Sequence, residues 1–213
     1  MKTTFWKQAG SFVEQNLKAI GVLLAAVLLI LVIVGVLRDV AATREKEASE
    51  LLFQARAKSE VLAKTDEKAA ADAFDTLIQK YPSSRAAFEA ELLAGDVWMA
   101  KNKFSEAEKR YALAAEKAQD NFSKLLALYN LGAAQENEGA FDRAVQSYGG
   151  AEAVKASEFM RPELLMAEAR CYEALKNVAK ATELYKIIQD KYAAQTFYSG
   201  AAAVFLSELS LKH

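Results

Sequence analysis

The sequence predicts an all-α chain: an N-terminal transmembrane helix, then a right-handed solenoid of about four helical hairpins and a capping helix. Three observations carry this. Nine glycines and two prolines in 213 residues are too few for the many turns of an all-β chain. Near the start, Ala19 to Leu37 is a run of 19 residues without a charged or strongly polar side chain. Beyond it the chain matches itself with a period of 37, the mark of stacked supersecondary units.

The apolar run is bracketed by Lys18 and Arg38. At ~1.5 Å per residue a helix of that length spans ~28 Å, close to the hydrocarbon core of a bilayer. Such a helix satisfies its own backbone, so Gly21 and Gly35 are tolerable within it. A cleaved signal peptide has a shorter apolar core. The length here favours a retained anchor, with Val40-Ala41-Ala42 as a weak cleavage site. The chain then divides into a short tail (1–18), the membrane helix (19–37), a membrane-proximal helix leading into the first hairpin (38–65) and a repeat domain (66–213). Lys2, Lys7 and Lys18 on one flank nearly balance Arg38, Arg44 and Lys46 on the other. A short tail ahead of the bulk of the chain favours a cytoplasmic tail. Phe5, Trp6 and Phe12 are placed to sit at the membrane interface.

The 37-residue register begins from alanine. Ala70, Ala107, Ala144 and Ala181 align, and four residues on so do Phe74, Tyr111, Tyr148 and Tyr185. Leu77, Ala114, Ala151 and Ile188 follow at the next turn. Nine residues before the alanines stand Val61, Trp98, Gln135 and Tyr172, and three before those Lys58, Gly95, Gly132 and Ala169. Small and aromatic residues at i, i+4 and i+7 form one stripe along a helix. The small positions let two helices approach, and the aromatic fills the gap to the next pair. Each pair leaves an apolar face for its neighbour to cover.

The elements follow in order: helices near 66–80, 84–101, 104–119, 122–138, 141–156, 162–176, 178–192 and 196–211. Pro82 ends the first, and Ser83-Ser84 caps the second. Asn102, Asn137 to Gly139 and Asn177 mark turns within pairs. Ser105, with Glu108 three residues on, reads as a capping box. Pro162 suits the first turn of its helix. The last helix, with Val204, Leu206 and Leu209, caps the stack.

These positions resemble the tetratricopeptide repeat. Gly95, Trp98, Ala107, Tyr111 and Ala114 match its pattern. Gly132, Ala144, Tyr148 and Ala151 match again, with Gln135 departing, and Ala169, Tyr172, Ala181 and Tyr185 match a third time. Ala70, Phe74 and Pro82 match half of a degenerate first unit. The tail from Phe12 to Gly21, one anchor and four hairpins together resemble the family of bacterial inner-membrane ancillary subunits of the Sec translocon. That likeness implies a single-pass inner-membrane adaptor facing the periplasm, with translocon subunits and chaperones as partners. The stretch from Phe74 to Ala86 is also similar to the joints of repeat proteins of outer-membrane assembly and the Tol-Pal system, which implies an envelope-assembly scaffold instead.

The resemblance places a partner groove on the first helix of each pair, at Asp96, Met99, Tyr129, Glu136, Asn137, Met166, Arg170 and Glu173. A clamp for C-terminal carboxylates would need Lys and Asn where this chain has Asp96, Ala133 and Arg170. The register puts Trp98, Tyr111, Tyr148, Tyr172 and Tyr185 in the core rather than in an aromatic ligand box. Cys171 reads as a small buried hydrophobe. Arg44 to Glu50 reads as a solvated helix face.

Catalysis finds little support. One Cys and one His, His213 at the end of the sequence, cannot supply a metal-ligand cluster or a triad away from that end. No cofactor or metal site is expected. The net charge is -1 overall and -4 over residues 39–213, which leaves no basic footprint for nucleic acid.

Overall fold

The computed structural model describes residues 2–212, with side chains from 16 to 211. The chain forms two compact units, Met1–Lys46 and Glu47–His213.

From Lys2 onward the first unit is helical and belongs to α1 (Lys2–Leu62). Its large apolar side chains from Val22 to Val40 are exposed. By length and composition this helix can cross a membrane. The side chains of Lys2, Phe5, Trp6, Lys7, Phe12 and Glu14, and His213, lie outside the described residues.

The second unit begins at Glu47, earlier than the boundary at 66 expected from the repeat. The reason is a stripe at i, i+4 and i+7 on α1: Ala48, Leu52 and Ala55 are buried against Phe74, Leu77, Ala86, Ala90 and Ala94. The C-terminal part of α1 is thus the first helix of the first hairpin. Its partner is α2 (Glu67–Asp72) with α3 (Asp75–Lys80), so the single helix expected over 66–80 is broken. At the break the Phe74 N–H turns back to the Ala71 carbonyl, 3.4 Å away, and the Phe74 ring is buried.

Three further hairpins follow: α4 (Arg85–Ala100) with α5 (Phe104–Lys117), α6 (Asn121–Glu138) with α7 (Phe141–Glu152), and α8 (Arg161–Ala174) with α9 (Val178–Lys191). Helix α10 (Thr196–Lys212) packs on α9. Helix α7 stops short of the expected residue 156 and gives way to a 3-10 helix, Ser157–Met160. The Ser157 hydroxyl donates to the Glu152 carbonyl there, satisfying an end group of the helix. The second unit is an all-α solenoid of paired helices.

The helix ends explain the joints. The Ser84 hydroxyl accepts from the Ala87 N–H at 2.9 Å, and Pro162 occupies the first turn of α8. The capping box expected at Ser105 does not form. Helix α5 already begins at Phe104, so Ser105 is inside it, and its hydroxyl donates to Glu138 instead. Within the hairpins, Asn102, Gly139 and Lys176 take left-handed backbone (φ 56°, 82° and 60°), again 37 residues apart. The next residue's N–H closes each turn on the carbonyl of Trp98, Gln135 or Tyr172, at 2.8–3.0 Å.

Between the helices of a pair, contact is close. A Cβ on Gly95 would lie 2.5 Å from the Tyr111 ring, and one on Gly132 2.7 Å from the Tyr148 ring. Gln135, standing where the register expects an aromatic, is buried and satisfied on both sides. It accepts from the Ser147 hydroxyl at 2.7 Å and donates to Glu108 at 2.8 Å.

Candidate functional site

The first helices of the last three hairpins, α4, α6 and α8, carry the residues expected to form a groove. Several of these residues are already committed to partners within the stack. The Tyr111 hydroxyl donates to Asp96 at 2.6 Å, Tyr148 donates to Glu136 at 2.7 Å, and Tyr185 donates to Glu173. Each pair ties the second helix of a hairpin to the first. Burial, then the carboxylate beside it, pushes each of these phenols well above the usual tyrosine range.

Glu136 is the centre of the densest cluster. Arg170 Nε reaches its Oε1 at 2.8 Å and Arg170 Nη2 its Oε2 at 3.0 Å, a forked pair joining α6 to α8. The hydrogen bond to Glu136 raises the Arg170 pKa further, so the guanidinium stays charged. Tyr129 donates to Glu163 at 3.1 Å and sits 5.8 Å from the Tyr148 ring; burial and Glu163 raise its pKa to about 12. Cys171 is fully buried nearby, and burial pushes its thiol to about 12, which leaves it inert as a nucleophile.

Two expected groove residues turn inward. Met166 is 5% exposed and packs with Leu165, Ala169, Ala181, Leu184 and Tyr185. It is core, not groove lining. Met99 is half-buried against the core that holds Trp98 and Tyr111. Asn137 is exposed but donates to the Ala133 carbonyl at 2.7 Å, capping the end of its own helix. Of the repeat positions, Gly95, Trp98, Ala107, Tyr111, Gly132, Ala144, Tyr148, Ala181 and Tyr185 are buried, and Tyr172 is half-buried.

An open cleft of about 380 Å³ lies between the end of α1 and α4. Ala63, Phe74, Leu93, Val97 and Ala100 give it apolar walls. Arg56, Glu60, Asp96 and Lys101 stand around it, with Arg56 paired to Glu89 outside the lining. Only Asp96 among these was expected from the sequence. The others lie mostly on the membrane-proximal helix or one turn from the matched positions. The signal for them was the i, i+3, i+4 spacing of Arg56, Ser59, Glu60 and Ala63.

Among the described residues, no three His, Cys, Asp or Glu side chains stand together as a metal site. The cleft's side chains can hold an apolar group flanked by charges. They form no nucleophile and base pair.

Solved structures similar to this chain include the following two. Both are of the nearly identical TPR-like repeats of a Podosopora anserina protein assigned as a kinesin light chain, one of them a point variant. The likeness has TM-scores of 0.56 and 0.55 at 16% and 15% identity, and covers 78% of this chain and 94% and 95% of those chains. At that identity it shows the fold alone. No curated protein matches. Neither of these two structures is of a bacterial inner-membrane protein, so the expected bacterial inner-membrane placement with periplasmic repeats has no support among them and is withdrawn. That placement rested on the order of tail, anchor and hairpins, and such an order can serve in any compartment. Stacked repeats of this kind are binding scaffolds, not catalysts: their paired helices present extended surfaces to other proteins. The tetratricopeptide repeat-like domain matches residues 10–181, and the chain belongs to that family.

Proposed function

We propose that this chain is a membrane-anchored adaptor that holds a partner polypeptide in the cleft between α1 and α4. The cleft is the observation that carries the reading. Its apolar walls take one bulky aliphatic or aromatic side chain, and Glu60, Asp96 and Lys101 face polar residues on either side of it. The apolar helix of residues 19–37 supports the anchor. Confinement to a membrane raises the effective concentration of the cleft for other membrane-bound chains.

The partner class this reading favours is a protein-translocation channel and the chaperones that work beside it. The support is the resemblance of layout alone: a short tail, one anchor and stacked hairpins. A photo-crosslinking residue placed at Lys101 in the full-length chain, in native membranes, tests it. The expected product is a covalent adduct with a channel or chaperone subunit, absent when the same residue stands at Lys186 on α9. Adducts only with other proteins would remove the translocon reading and keep the adaptor. No adduct specific to Lys101 would remove the cleft as the working site.

A further inference from the structure

One position of the 37-residue register is apolar on three helices: Ala94 on α4, Leu131 on α6 and Phe205 on α10. Ala94 is fully buried, and Leu131 and Phe205 pack against cores. On α8 the same position holds Glu168, only 7% exposed. Among the described residues, its Oε1 is the one buried side-chain oxygen or nitrogen without a hydrogen bond. It lies where α8 packs on α7 of the preceding hairpin, and a Cβ on Gly149 of α7 would lie 3.8 Å from it. The charged groups around it are engaged elsewhere. From α7 it faces Glu152, a like charge that Arg161 holds at 2.6 Å. From α9 it faces Lys180, which pairs with Glu183 at 3.0 Å. On α8 itself Cys171 and Tyr172 stand one turn further along, and burial keeps the Cys171 thiol protonated. A neutral carboxyl is tolerable in such a place, whereas a buried carboxylate without a partner is costly.

We propose that Glu168 makes the α7–α8 joint a pH-controlled clasp: protonated, it lets the rear hairpin pack on the one before it, and ionised, it loosens that joint while the front of the stack stays closed. The response is local because hairpins in a stack touch only their neighbours, so one joint can open alone. The buried glutamate of the front, Glu91 on α4, keeps its charge against Arg110 at 3.1 Å and Lys117 at 3.9 Å. The opening is also partial. The Arg161–Glu152 pair still ties the start of α8 to the end of α7, and the forked Arg170–Glu136 pair still ties α8 to α6. The rear hairpin therefore loosens without leaving the stack. Its direction follows from the proton. Burial, then Glu152, raises the closed-state pKa of Glu168 to about 7 against the ordinary 4.5 in an open joint, with Lys180 opposing. The closed joint holds a proton that the open one releases, so raising the pH favours opening, by about tenfold between pH 6 and pH 8.

The test is amide hydrogen exchange of the full-length chain in mild detergent, read by mass spectrometry from pH 6 to pH 8 and corrected for the intrinsic pH dependence of exchange. Amides of α8 and of the end of α7 are expected to lose protection about tenfold over that range, while those of α4 hold theirs. Glu168→Gln keeps the shape and cannot ionise, and Glu168→Leu restores the apolar residue of the other copies. In both, protection of α8 is expected to be independent of pH. The proposal is overturned if α8 of the unaltered chain keeps its full protection to pH 8, or if the loss persists in a folded Glu168→Gln or Glu168→Leu chain. It is overturned equally if α4 loses protection by the same factor, because the whole stack then opens and not one joint. The first and last of these outcomes are read from the unaltered chain, so they stand even where a variant does not fold.

Discussion

The hairpins α4–α5 and α8–α9 occupy equivalent places in the stack, and each buries a glutamate on its first helix. Glu91 is 1% exposed and Glu168 is 7% exposed. Their surroundings differ. Arg110 reaches Glu91 at 3.1 Å and also holds Asp75 at 2.8 Å, and Lys117 stands 3.9 Å away on the other side. One guanidinium thereby ties α3, α4 and α5 together. Glu168 has no such partner. Its Oε1 makes no hydrogen bond, and a Cβ on Gly149 of α7 would lie 3.8 Å from it. The pair teaches that depth alone does not decide what a buried carboxylate does. With a cation beside it, the charge becomes a joint. Without one, the proton becomes the partner.

The largest effect is expected from breaking the joint. Arg110→Met leaves Glu91 and Asp75 without their guanidinium, and Glu91 is buried. Stripping one partner from a buried ion pair costs about 3–5 kcal/mol. Urea denaturation of the full chain in mild detergent, followed by helical circular dichroism, should show that loss. The double change Glu91→Leu with Arg110→Met should recover most of it. A double variant as unstable as Arg110→Met alone would mean that Arg110 acts through Asp75 instead.

The next effect is a pH dependence from Glu168. Burial first, and Glu152 second, raise its pKa from the ordinary 4.5 to about 7, while Lys180 opposes them. Between those values the folded chain holds a proton that the unfolded chain has released. Stability from this group is therefore full below about pH 4.5, falls as pH rises, and is lost above about pH 7. The shift corresponds to roughly 3 kcal/mol. Glu168→Gln keeps the shape and cannot ionise, so it should be more stable than the parent at pH 8 and similar to it at pH 4. Equal stability of the two proteins at pH 8 would show that the carboxylate finds a partner when charged.

The smallest effect sharpens the comparison at the turns. The front hairpin places Asn102 in left-handed backbone, and the rear one places Lys176 there. Asn tolerates that conformation, and Lys strains in it. Lys176→Gly should stabilise the rear hairpin by about 0.5–1 kcal/mol, and Asn102→Gly by less. The same denaturation curves check the order.

Much of the architecture was legible because a repeat states each packing rule several times. The small residue facing an aromatic and the turn after the first helix recur in register, so Gly95 and Gly132 could be placed from spacing, while Pro82 and Pro162 marked joints by their own chemistry. The groove was read less well for a reason visible in the same register. Leu92, Tyr129 and Met166 share one repeat position, and Leu92 is buried as Met166 is. An aliphatic residue in the second copy was the clue that this position faces the core. The cleft was missed because its α1 wall belongs to the degenerate first unit, where Lys58 and Val61 stand in place of the small and aromatic residues of the later copies. The pairing of Glu91 and the isolation of Glu168 depend on neighbours from other helices, and no periodicity along one helix reports them.

The left-handed turns at Asn102, Gly139 and Lys176 have a consequence for how such a chain can change. Each turn closes through its own backbone hydrogen bond and recurs at the same point of the register. Excising or duplicating the stretch between two of them removes or adds 37 residues and leaves every later helix in phase. The length of the molecule is therefore adjustable in whole hairpins, while an insertion of any other size would put the faces out of step. Duplication, not drift, is the economical way for this chain to gain surface.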